Sequence, residues 1–250
     1  MHTSIAAYHF VAIDDADDLA ARIRAKADSL QLLGTVLLAE EGLNLFLAGD
    51  AEAIDEFVAH LRGDARFSDI RVKTSYSAIA PFARLKVKVK PEIISFRRDG
   101  ASPLPERAPA VMPADLARWI ADGRDDQGRR LVLLDTRNRE ETGYGSFDGA
   151  LILPIDNFTD LPEALAPHRE RLADATVVSF CTGGIRCEKA ALWMRASGMD
   201  NVLQLDGGIL GYFEEVCGAG YRGECFVFDE RIALDPALRA RADGGISGAR

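Results

Sequence analysis

The residues best suited to chemistry lie in one run, Val177-Val-Ser-Phe-Cys181-Thr-Gly-Gly-Ile-Arg186-Cys187-Glu-Lys-Ala190. An apolar strand delivers Cys181, then Thr182, Gly183, Gly184 and Ile185 turn the backbone, and a helix begins near Arg186. Two adjacent glycines reach backbone angles that other residues resist, so successive amides can point inward. Those amides and the helix N-terminus stabilise negative charge. A thiol placed there has a lowered pKa and is nucleophilic near neutral pH. Arg186 adds a fixed positive charge or a donor to a bound anion. The opposing account is an inert buried cysteine beside an ordinary strand-to-helix turn. The strand, the glycine pair, the arginine and the following helix together favour chemistry.

The remaining cysteines, Cys187, Cys217 and Cys225, also fall in the last third of the chain. This clustering suits reactive thiols better than a disulfide framework. Cys187 reads either as a resolving thiol beside Cys181 or as an ordinary helix residue, and the second account is the simpler. Cys217 and Cys225 are expected to be packing residues. No cysteine pair has the spacing of common zinc sites, and His2, His9, His60 and His168 stand apart, so no metal site is expected. No flavin, haem or non-haem iron pattern is evident, and the residues themselves call for no cofactor.

The elements that position Cys181 follow from periodicity. Residues 1–75 read as strand, helix, strand, strand, helix, strand. Leu19, Ile23, Ala27 and Leu30 recur at helical spacing, as do Ile54, Phe57, Val58 and Leu61 behind the N-cap Asp50. Glu40-Glu41-Gly42 reads as a hairpin turn with a polar tip. The order predicts a ferredoxin-like α+β domain with helices on one sheet face. Residues 76–107 are expected to be a basic connector with one strand, Leu85–Ile94, ending at the proline-rich Ser102–Arg107. Residues 108–220 alternate strand and helix around the apolar runs 131–134, 150–153, 176–180 and 202–205. That alternation predicts an open parallel α/β sheet, whose sites form beyond the strands' carboxyl ends. Asp135 and Cys181 both fall at that edge. Residues 221–250 read as a C-terminal extension with a disordered, glycine-rich end from Ala240.

With 48% hydrophobic and 28% charged residues, the composition is that of a soluble globular protein. No apolar stretch reaches the roughly 18–20 residues that span a bilayer, and MHTSIAAYHFVAIDD lacks the features of a secretory leader. A cytoplasmic address without membrane contact is expected. The net charge of −9 argues against a general affinity for nucleic acid, and no DNA binding is expected. Residues 71–98 nevertheless carry +7, leaving −16 on the remainder. Arg84, Lys86, Lys88 and Lys90 within that stripe read either as a polyanion contact or as the protective charge of an edge strand.

The stretch from about Ala108 to Gly220 resembles a rhodanese domain, whose active loop reads Cys-x-x-Gly-x-Arg and here supplies Cys181, Gly184 and Arg186. Asp135-Thr-Arg137 with Glu140 is similar to the family's Asp-x-Arg segment. Phe147-Asp-Gly149-Ala150 and Leu205-Asp-Gly-Gly-Ile209 resemble two further signatures, with departures at Ser146 and Phe147. The resemblance implies a persulfide on Cys181, cradled by loop amides, with Asp135 and Arg137 in support. Four residues separate Cys181 from Arg186, one fewer than in the related tyrosine phosphatases, so the loop fits one sulfur better than a phosphate. Cys181–Lys189, Gly223–Arg231 and Glu40-Glu-Gly-Leu-Asn44 together resemble the rhodanese-containing tRNA uridine hydroxylases. That resemblance implies oxygen-dependent 5-hydroxylation of the wobble uridine, with molecular oxygen as co-substrate and Cys181 as catalytic residue. It also favours the tRNA reading of the basic stripe, which would grip the anticodon arm. Two alternatives stand beside it. A plain sulfurtransferase explains Cys181 but leaves the N-terminal domain without a task. An inert binding module leaves Cys181 and Arg186 unexplained.

Overall fold

A computed structural model describes residues 1–240. The predicted disorder of the glycine-rich end falls almost wholly outside the described residues. In chain order the elements are β1 (His2–Phe10), α1 (Ala16–Ser29), β2 (Leu33–Ala39), β3 (Gly42–Gly49), α2 (Ala51–Arg62), β4 (Val72–Ser77) and β5 (Leu85–Val89). They continue with β6 (Ala110–Val111), α3 (Pro113–Asp122), β7 (Leu131–Asp135), α4 (Arg139–Thr142), β8 (Gly145–Phe147) and β9 (Leu151–Ile152). Then come α5 (Leu161–Leu165), α6 (Arg169–Leu172), β10 (Thr176–Phe180), α7 (Ile185–Ala196), β11 (Val202–Leu205) and α8 (Gly208–Val216). Three short strands follow, β12 (Tyr221–Gly223), β13 (Cys225–Phe226) and β14 (Ala233–Leu234).

The first sheet has the order β4-β1-β3-β2-β5 and is antiparallel except where β5 runs parallel to β2. Period-two alternation divides its residues. Ile5, Ala7, Leu43, Leu45 and Leu47 face α1 and α2, where Ile23, Ile54, Phe57 and Leu61 complete a buried core. Each such large apolar side chain contributes about 1.5–3 kcal/mol of burial. The opposite face carries Ser4, Ala6, Tyr8, Asn44 and Phe46 and turns toward the second domain. This is the expected ferredoxin-like layer with one strand more. The strand expected inside a connector is that fifth strand. Val87 joins the helix-covered core, so burial of its side chain draws β5 into the sheet and carries the first domain beyond residue 75.

The second sheet, β6-β11-β10-β7-β9, is wholly parallel, as the alternation of apolar runs and helices predicted. Its central strand β10 is buried throughout, with helices on both faces. Residues on both sides of 108–220 also pack into the second core. Phe96 stacks on Phe158 with ring centroids 4.4 Å apart and belongs to the second core, so the end of the connector is structural. At the other end, β12 pairs with β8, and the β13–β14 hairpin packs Cys225, Val227 and Leu234 into the same core. Trp119 and Trp193 pack in the second domain.

Candidate active site

Strand β10 releases Cys181 at the carboxyl edge of the second sheet, where the chain turns sharply into α7. Gly184 adopts φ +105°, and a Cβ there would come within 2.8 Å of the Tyr8 hydroxyl. Gly208, at φ +62°, lies so close beneath the loop that a Cβ would sit 2.6 Å from the Cys181 carbonyl oxygen. Glycine at both positions lets α8 meet the loop directly. The Ile209 N–H donates to the Cys181 carbonyl at 2.9 Å, and the Leu210 N–H to that of Thr182 at 3.0 Å. With its carbonyls held this way, the loop turns amides toward the sulfur, and the Gly184 N–H donates to Cys181 Sγ at 3.2 Å.

Burial alone would push the Cys181 thiol up. The Cys187 side chain, the Arg186 charge and the amides of Cys187 and Gly184 outweigh it and bring the pKa down to about 5. Cys187, at the start of α7, has its Sγ 4.0 Å from Cys181 Sγ and donates to the Gly184 carbonyl at 3.0 Å. Burial and the neighbouring Cys181 hold the Cys187 thiol well above its ordinary value. The two neighbouring sulfurs are thus shifted in opposite directions, Cys181 toward the thiolate and Cys187 toward the thiol. This geometry opposes treating Cys187 as an uninvolved helix residue.

Arg186 acts as the fixed charge rather than as a free fork. Its two terminal nitrogens meet the Glu141 carboxylate at 2.5 and 2.6 Å, and Thr182 Oγ1 reaches the same carboxylate at 3.2 Å. Burial would raise the Glu141 carboxyl, but Arg186 holds it below its ordinary value. Glu141, rather than the exposed Glu140, is therefore the acid that serves the loop. It is the N3 residue of α4, reciprocally capped with Asn138, and the spacing Asn138-x-x-Glu141 is a capping-box signal present in the sequence. Asp135 and Arg137 form a closed, fully buried pair, at 2.9 and 2.7 Å. Arg137 also donates to the Gly145 carbonyl, and Ser146 donates to Asp135 at 2.7 Å. This pair braces the strand end and does not line the cavity described next.

Cys181, itself without exposed surface, lies in the wall of a cavity of about 480 Å³ between the two domains. The first sheet supplies one wall through Ser4, Tyr8 and Asn44, and the β13–β14 hairpin supplies another through Phe228. Lys73 crosses from β4 to donate to the Gly183 carbonyl at 2.6 Å and to that of Gly207. Tyr8 donates to Glu188 at 3.4 Å, and Arg107 grips the same carboxylate. Glu41 and Asn44 are not a free hairpin tip. Lys189, only 3% exposed on α7, donates to Glu41 at 2.7 Å and to Glu92 at 3.1 Å, and Asn44 donates to the Ile93 carbonyl at 3.3 Å. The first domain thus closes over the cysteine loop. Sequence patterning placed Tyr8 and Lys73 on strands, but nothing in their own types or spacing pointed to the other domain's loop.

Arg84, Lys86, Lys88 and Lys90 lie along the β5 edge, exposed and outside the cavity. Registers place Lys86, Thr35, Phe46, Ala6 and Lys73 in one row across the sheet. Lys86 therefore shares the cleft-facing side with Lys73, about 19 Å away across four strand spacings. Of the remaining cysteines, Cys225 is buried and its thiol is pushed up to about 12 by burial, as a packing residue requires. Cys217 was expected to pack but is exposed, because it caps α8 in a left-handed conformation at φ +54°. Among the described residues, no group of three or more His, Cys, Asp or Glu side chains is placed to hold a metal ion. No helix among them is long and apolar enough to cross a membrane.

Residues 2–93 match the UPF0176 acylphosphatase-like domain, and residues 112–215 match the rhodanese-like domain. A tRNA uridine(34) hydroxylase of Xanthomonas euvesicatoria pv. vesicatoria is 68% identical over 97% of this chain and 98% of its own length. A protein of the same name from Xylella fastidiosa is 63% identical over 95% of this chain and 93% of its own. Among solved structures, a homolog of single-domain rhodanese from Saccharomyces cerevisiae matches 44% of this chain and 82% of its own, at 16% identity and a TM-score of 0.36.

Proposed function

As this chain belongs to the tRNA uridine(34) hydroxylase family and is by that membership a tRNA-modifying enzyme, we propose that Cys181 is the centre of its hydroxylation of the wobble uridine. The product is 5-hydroxyuridine, and molecular oxygen is the co-substrate. The observation that carries the role of Cys181 is its place in the wall of a cavity that two domains build together, where the Cys187 side chain, Arg186 and loop amides lower its thiol pKa to about 5. A thiolate at neutral pH is a nucleophile, or a carrier of one sulfane sulfur, without a separate base. Arg186 and the loop amides stabilise that anion, while Glu141 fixes the guanidinium in place. Thr182, Gly183, Gly184 and Ile185 shape the turn, and the Cys187 side chain and backbone amide help to hold the Cys181 thiol pKa down.

The substrate reaches the sulfur through the cleft. A wobble base sits in an unpaired anticodon loop and can be splayed into a pocket at small cost. The anticodon arm would then rest on the lysine-bearing side of the first sheet, with Arg84, Lys86, Lys88 and Lys90 as phosphate contacts. A protein moving sulfur from a small donor has no need of this closed, two-domain wall. Such an enzyme works in the cytoplasm, where its tRNA is found.

The test is nucleoside analysis of tRNA from cells lacking the protein, complemented with wild type or Cys181→Ala. Wild type restores 5-hydroxyuridine and its derivatives, and Cys181→Ala leaves them absent. Full restoration by Cys181→Ala would remove the sulfur from the mechanism.

A further inference from the structure

The β13–β14 hairpin holds an aromatic ring where an apolar surface is costly. Phe228 is 58% exposed, yet it lies in the wall of the cavity that contains Cys181. Its neighbours are fixed rather than mobile. Arg231 binds Asp229 at 2.8 and 2.5 Å and reaches across to Ser75 of β4 at 2.6 Å. The Glu230 N–H donates to the Pro81 carbonyl at 3.1 Å, and the Ile232 N–H closes the turn on Asp229 at 2.9 Å. Phe226 packs edge-on against the Phe228 ring with centroids 5.0 Å apart, and the Arg186 guanidinium lies 5.9 Å from its centre. A rigid, exposed ring is thus aimed beside the cysteine loop without being needed by either core.

A second feature points to a polar, planar guest. Ser4 of β1 is 2% exposed and lies in the wall of the same cavity. Its hydroxyl has no hydrogen-bond partner among the described residues. A buried unpaired hydroxyl costs free energy that a bound ligand can recover. The cavity, at about 480 Å³, lies within the roughly 300–1,000 Å³ range of ligand pockets.

We propose that Phe228 is the stacking platform for the pyrimidine splayed into the cavity, making it a positioning residue that presents the ring to Cys181. This rests on the reading of Cys181 as the hydroxylation centre. Base–aromatic stacking tolerates any π-face and is lost with an aliphatic side chain of similar size. The platform therefore confers affinity for the base itself, whereas phosphate contacts confer affinity for the arm around it.

The test compares the dissociation constants of two tRNAs, one with uridine at position 34 and one abasic there, for wild type, Phe228→Leu and Phe228→Tyr. Wild type should prefer the uridine form by about 5- to 150-fold, the range of one stacking contact. Phe228→Leu should bring that ratio close to one while leaving affinity for the abasic form unchanged, and Phe228→Tyr should keep it. A wild-type ratio of one, or a ratio untouched by Phe228→Leu, overturns the proposal. Equal losses in the Leu and Tyr variants overturn it too, because they would mark a need for one side-chain shape. Nucleoside analysis of cells carrying each variant separates the two levels. An inactive Cys181→Ala beside a fully active Phe228→Leu removes only the platform, while an active Cys181→Ala removes the site and the platform with it.

Discussion

At the scale of single residues, the chemistry depends on which sulfur carries the charge. Two thiols 4.0 Å apart in a buried loop do not both ionise, and the Cys187 side chain, the Arg186 charge and the amides of Cys187 and Gly184 favour the charge on Cys181. Replacing Cys187 by Ala keeps the backbone amide and removes only the S–H donor. The Cys181 pKa should then rise from about 5 toward the ordinary thiol range, measured by thiolate absorbance against pH. An unchanged midpoint would mean that the amides and Arg186 suffice. Glu141 is tested through stability, because its carboxylate and Arg186 form a buried pair. Glu141→Ala leaves a buried guanidinium without its counter-charge and should cost about 3–5 kcal/mol in denaturant unfolding. Since the folded carboxyl sits below its ordinary value, this contribution is complete above that value. It fades as pH falls through the folded one, so the gap between wild type and variant should close in acid.

At the scale of elements, the loop was legible because its cause is local. An apolar run, two glycines and a helix are contiguous in the chain, and together they fix where Cys181 sits. The parallel sheet was legible for the same reason, since runs such as Thr176–Phe180 alternate with helical segments. The strand β5 is legible in the sequence but its sheet is not, because its lysines and valines alternate equally well in a connector and at a sheet edge. Its parallel pairing to β2 depends on a partner about fifty positions earlier in the chain. Glu141 is harder to find in the sequence, because its partner Arg186 lies 45 positions further on. The β5 edge makes its own prediction. Replacing Lys86, Lys88 and Lys90 together by Gln should weaken tRNA binding, and the log–log salt slope should fall by about 0.7–0.9 for each phosphate no longer neutralised. If these lysines only protect an edge, the slope will stay as it was and the variant will aggregate instead.

At the scale of the whole molecule, the active loop is completed by residues that belong to another domain. Lys73 binds its carbonyls, Tyr8 lies against Gly184, and Lys189 ties α7 to the β2–β3 turn and the segment after β5. None of these pairings follows from local pattern, since each spans about 95 positions or more. Fold and loop were therefore readable from sequence, while the cleft that joins them was not. The proposed function requires an anionic Cys181 at the place where tRNA enters. Mass-resolved iodoacetamide labelling of Cys181 at pH 6, with and without saturating tRNA, tests both halves together. Labelling is expected to be much faster than a free thiol gives at that pH, and to slow clearly when tRNA saturates the protein. Labelling at the rate of an ordinary thiol, or labelling that tRNA leaves unchanged, would contradict the proposed function.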